Sequence, residues 1–166
     1  MSFDVAELIT YIRTKAEVGE LLRELGELEQ GLYKSGEESF EEQLNKRAAR
    51  WLAELIKARL QEAGDTQDVN TRLQLLREIG GLVGRMPIIR LEVAVDPSEE
   101  MIGKISMWLR EKIDPGIILE LVVDKSLMFG VKISYQGKYA DYTGTKVWEQ
   151  VWKEIKPELL VSEKKS

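Results

Sequence analysis

The chain has 166 residues, a formal charge of −5, and neither cysteine nor histidine. Those two absences exclude disulfides, thiolate chemistry, and imidazole as general base or zinc ligand. Acidic residues outnumber basic ones up to Met86 (16 to 12) and beyond it (13 to 12), so neither part has the basic excess that nucleic acid or an anionic bilayer attracts. The opening, MSFDVAELITYIR, lacks the basic start and apolar core of a signal peptide. No run reaches the ~20 apolar residues needed to span a bilayer, and the expectation is a soluble, intracellular chain.

The first part reads as helical. Val5, Leu8, Ile9 and Ile12 form a short stripe, and Leu21, Leu25, Leu28 and Leu32 step by 4, 3 and 4 as a heptad seam. Thr14 to Glu17 has the form of a capping box, which predicts a break near Arg13. A second helical run starts at Ser39, where Ser39 and Glu42 form another capping box. It carries Phe40, Leu44, Ala48, Trp51, Leu55 and Ala58 on one face. A third runs from about Thr66 to Val83, with Val69, Leu73, Leu76, Ile79 and Val83 inward. Three runs with short polar breaks predict a three-helix bundle or a long hairpin with a third helix against it, over residues 1–86. The leucine seam is either internal core or, at Leu21, Leu25 and Leu28, a stripe left open for a partner's helix.

Residues 87–166 change character. Ile89, Leu91, Val93 and Val95 alternate with polar or small residues, the pattern of a half-buried strand. Asp96-Pro97-Ser98-Glu99 then starts a helix, with Asp96 as the expected cap and Met101, Ile105, Trp108 and Leu109 as the expected buried face. Ile117 to Val123 is apolar on both faces, which predicts a central strand. Val131 to Tyr135 is a further strand, and Gln136-Gly137 a tight turn into a short edge at Lys138 to Tyr142. A last helix with Trp148, Val151, Trp152 and Ile155 inward closes the pattern. The fold class is α+β: a helical part followed by a small βαββα domain, its mixed sheet covered by two helices. The pair Trp148 and Trp152, four apart, serves either core packing or as an anchor for a partner helix.

The order IRLEVAVDPSEE, helix, ILELVVDKSLMFGVKISYQGKYADYT, helix resembles the C-terminal domain of the delta subunit of bacterial rotary ATP synthases, whose mitochondrial relative is the oligomycin-sensitivity-conferring protein. That family shows a strand ending V-D-P-S-L, a glycine pair, a strand, a short turn and D-x-S before a closing helix. Val123, Asp124, Ser126, Leu127 and Gly130 match the first part, and Asp141 and Thr143 stand at the D-x-S positions. Lys125 replaces the proline, Phe129 the first glycine and Thr143 the serine. The likeness spans roughly residues 88–155; the N-terminal half departs from the family's compact bundle of about six short helices. Asp124, Ser126, Gly130 and Asp141 are expected to set turns.

The resemblance implies a peripheral-stalk subunit linking stalk b-type helices, and the alpha subunits of the catalytic head, on the cytoplasmic face of the membrane. It would be attached to the membrane only through the complex. No catalytic residue, cofactor or metal is expected. Gly80, Gly81 and Gly84 follow a helix rather than a strand and lack the Gly-Lys-Ser/Thr of a phosphate loop. Glu37, Glu38, Glu41 and Glu42 lack the alternating spacing of a calcium loop and suit a helix start. The other reading is a cytoplasmic adaptor or chaperone-like module that binds an amphipathic helix.

Overall fold

The structure, a computed structural model, describes residues 4–33, 39–64, 68–127 and 129–143. It is α+β, with six helices and one four-stranded mixed sheet among the described residues. The helices are α1 (Val5–Leu8), α2 (Lys15–Tyr33), α3 (Phe40–Arg47), α4 (Arg50–Ala63), α5 (Val69–Val83) and α6 (Glu99–Lys112). The strands are β1 (Ile88–Val93), β2 (Ile118–Val123), β3 (Val131–Tyr135) and β4 (Lys138–Asp141).

Both capping boxes form. Glu17 N–H donates to Thr14 Oγ1 while Glu17 Oε2 accepts from the Thr14 amide at 2.8 Å, so the chain breaks between α1 and α2 at the predicted place. Ser39 and Glu42 do the same for α3. The second helical run does not continue as one helix. Ala48 and Ala49 are extended between α3 and α4, and the Ala49 amide donates to Glu24 Oε2 of α2 at 2.8 Å. A carboxylate from another helix thus takes an amide at a start that has no capping side chain of its own.

Leu21, Leu25 and Leu28 are buried, with Leu44, Leu52, Ile56, Leu76 and Ile79, in the larger of two apolar clusters. As an open seam for a partner these three leucines are therefore corrected: α3 and α5 pack against α2 and supply the other side of the contact. Burial of each such side chain is worth roughly 1.5–3 kcal/mol.

The sheet order is β2-β1-β3-β4. β1 pairs β2 in parallel, with Leu91 opposite Leu121, and β3 antiparallel, with Leu91 opposite Ile133. Gln136 and Gly137, at φ 48° and 75°, turn β3 into β4. The expectation of a central Ile117–Val123 strand is corrected, because β1 is central and β2 lies at one end of the order. Its outer side is met at one point by the α1–α2 connection, where Thr14 pairs with Leu119 and the Leu119 amide donates to Arg13 O at 2.9 Å.

β2 is apolar on both faces for two different reasons. Leu119 joins Ile89, Leu91, Ile102 and Leu109 under α6, whereas Ile118, on the opposite face, is buried in the helical cluster. The buried residues of α6 are Ile102, Ser106 and Leu109, with Ile105 half-buried; Met101 and Trp108 are 53% and 41% exposed, which corrects the expected face. Ser98, not Asp96, caps α6, its Oγ accepting from the Met101 amide at 3.2 Å.

One side chain ties the helical part to α6 and the sheet. Arg110 donates to the carbonyls of Ile9 and Ile12, both at 2.6 Å, and to Ile117 O at 3.4 Å. Burial lowers the guanidinium pKa from its ordinary value. The three carbonyls, at the end of α1 and the start of β2, gain charge-assisted bonds in return.

Candidate functional site

The residues singled out by the V-D-x-S-L and D-x-S/T patterns gather at one end of the sheet, because β1, β2 and β4 all run toward it and β3 starts there. After β2, the Asp124 amide donates to Val93 O at 2.9 Å, and Asp124 Oδ1 accepts from Ser126 N at 2.9 Å and Ser126 Oγ at 2.6 Å. After β4, Asp141 Oδ1 accepts from Thr143 N at 2.9 Å and from Thr143 Oγ1. The chain uses the same device twice: an aspartate closes a turn on the amide and hydroxyl two residues on.

Gly130 joins the two turns. Its φ of +99° is in the region that side chains disfavour. A Cβ there would collide with Tyr142 O and lie 2.8 Å from Thr143 Cα, so the backbone after β4 passes directly against it. The neighbouring Val131 carbonyl accepts from the Tyr142 amide at 2.9 Å, which closes the crossing.

Electrostatics fix the same end. Asp124 lies below the usual carboxylate range, held by the Ser126 hydroxyl, then the Ser126 amide, then Lys132. Lys132 is raised by its bond to Asp124, at 3.2 Å. Asp141 is lowered by the Thr143 hydroxyl and amide.

From Lys132 a series of charges crosses the face of the sheet opposite α6. Lys132 is 3.8 Å from Glu92, Arg90 is 3.1 Å from Glu92 and 3.8 Å from Glu120, and Lys15 of α2 is 2.7 Å from Glu120. Each cation of this ladder has a carboxylate partner.

Among the described residues no group of three or more acidic side chains is placed to hold a metal. A depression of about 360 Å³ at the α3–α4 junction is lined by Asn45, Ala48, Arg50, Ala53, Glu54 and Lys57. Its Arg50 pairs with Glu54, and its Lys57 bonds Asn45, so no pair of free carboxylates converges there. No helix among the described residues is long and apolar enough to cross a membrane.

The structure places Asp124, Ser126, Gly130 and Asp141 at one end of the sheet, with the local bonds and close approach just described. Leu21, Leu25 and Leu28 lie apart from them, in the helical core. Trp148, Val151, Trp152 and Ile155 fall outside the described residues. Sequence reasoning missed Arg110 and the ladder. The ladder was partly visible as charges alternating with apolar residues in β1, but Arg110 carried no local signal because its partners are about a hundred residues away. No known family model matches the chain, and comparison with curated proteins finds no significant match.

Proposed function

We propose that the chain is a non-catalytic linking subunit of the peripheral stalk of a rotary ATP synthase. In this reading it joins stalk helices to the catalytic head and resists torque, on the cytoplasmic face of the membrane and held there through the complex. Residues 1–86, a bundle or hairpin, lie along the stalk; residues 87–166, the βαββα platform, carry the family-like turns.

The observation that supports the reading is the coincidence of motif and geometry at one sheet end. The two Asp-x-Ser/Thr turns and Gly130, the residues that carry the resemblance, lie at the same sheet end, and each has a physical reason to be that residue type. A link under load also suits a molecule whose parts are tied by a half-buried guanidinium and a shared apolar core rather than by surface ion pairs alone.

Purification of the tagged protein from gently isolated membranes tests the proposal. Stalk and head subunits are expected with it. Their clean absence, under conditions that keep the synthase whole, contradicts it. An adaptor for an unrelated amphipathic helix would instead bring down that helix's owner, without the synthase.

A further inference from the structure

β2 is an edge strand that is guarded over only part of its length. Ile118 N donates to Pro87 O at 2.8 Å and Asp124 N to Val93 O at 2.9 Å, so the even-numbered residues of this stretch turn their amides toward β1. The odd-numbered ones turn theirs outward, as Leu119 does in donating to Arg13 O. That guard ends at once, because Thr14, the residue paired with Leu119, is the last before α2. Leu121 and Val123 also face outward, and among the described residues no group accepts from their amides. Open edges are normally blunted by a lysine, a proline or a bulge. Leu121, Val122 and Val123 include none of these: they are apolar, in unbroken register with β1, and Val123 is 40% exposed.

We propose that the open edge from Leu121 to Val123 docks an extended segment of another protein, in which apolar and basic residues alternate. The α1–α2 connection already adds to this edge by the same kind of backbone bond, at Leu119. The side chains select the occupant. One face of the edge offers Leu121, which packs on the cluster under α6, and Val123. The other offers Glu120, Val122 and Asp124. The cations that pair with these carboxylates stand further in, Arg90 on β1 and Lys132 on β3, or toward the guarded half, as Lys15 does. Neighbouring strands share their faces residue by residue. An added strand therefore lays apolar residues beside Leu121 and Val123, and basic ones beside Glu120 and Asp124. A second copy of this chain does not fit. Pairing two such edges about Val122 sets Glu120 of one copy against Asp124 of the other, and like charges directly opposite repel. Pairing them about Leu121 needs the Leu119 amide, which Arg13 holds. The inference rests on the sheet alone and stands whether or not the chain belongs to a synthase.

Amide chemical shifts of the isotope-labelled full chain, titrated with the end-blocked peptide Lys-Val-Lys-Val-Lys-Val-Lys, test it. The Leu121 and Val123 amides are expected to move most, with saturation, and to exchange more slowly with solvent. Val123→Pro removes one outward N–H and leaves the bonds to β1 in place, so it should weaken binding about tenfold with the circular dichroism unchanged. Two altered peptides leave the protein itself unchanged and decide the matter if the proline variant misfolds. One is methylated on its backbone nitrogens and the other carries glutamate for lysine; each should bind several-fold more weakly. Shifts scattered over acidic side chains that pass by Leu121 and Val123 overturn the assignment. So does equal binding of either altered peptide, or binding that a folded Val123→Pro does not weaken.

Discussion

The two faces of the sheet are built on opposite principles. Under α6, alternate residues of β1 and β2 point into a dry cluster of Ile89, Leu91, Leu119, Ile102 and Leu109. On the other face Ile118 is given to the helical core, Ile88 and Val122 stay partly exposed, and a half-exposed ladder runs from Lys15 through Glu120, Arg90 and Glu92 to Lys132 and Asp124. The apolar face supplies stability. The charged face, whose pairs are screened and partly solvated, sets register and solubility and contributes little free energy.

Substitutions can break that contrast. The largest effect belongs to Leu119→Ala, which empties a fully buried site under α6 and should cost about 3–4 kcal/mol in denaturant unfolding. Gly130→Ala comes next, at about 3 kcal/mol, because both the positive φ and the backbone of Tyr142 and Thr143 exclude a Cβ. Arg110→Ala should cost about 2–3 kcal/mol by leaving half-buried carbonyls unpaired, and Arg110→Lys should recover only part of it. On the charged face Glu92→Gln should change stability by less than about 1 kcal/mol, and the change should shrink further in high salt. A loss at Glu92 equal to that at Leu119 would erase the contrast.

The smallest effect is a pH dependence. The pKa of Asp124 is lower in the folded chain than in the unfolded one, so its contribution is present above the ordinary carboxylate range. It fades as pH falls through about 4 and below. Asp124→Asn should flatten the stability curve in that acid window and leave its slope between pH 6 and 8 unchanged.

Much of this architecture was legible locally. The breaks at Thr14 and Ser39, the turn at Gln136-Gly137 and the Asp124–Ser126 and Asp141–Thr143 bonds involve residues within a few positions of one another. What was not legible depends on distant partners. The α3–α4 break has no glycine or proline to announce it; Glu24 of α2 meets its amide. β2 looked central because it is apolar on both faces, yet its second face is buried by helices from the other end of the chain, which periodicity within the strand cannot show. The leucine seam had two possible occupants, and the choice of α3 and α5 over a partner is a property of packing, not of spacing.

The proposed role as a link is tested most directly by fractionating membranes from cells with and without this chain. The account predicts that, without it, the ATP-hydrolysing head separates from the membrane into the soluble fraction, and that restoring the chain reattaches it. A head that stays fully membrane-bound and coupled in its absence would contradict the proposal.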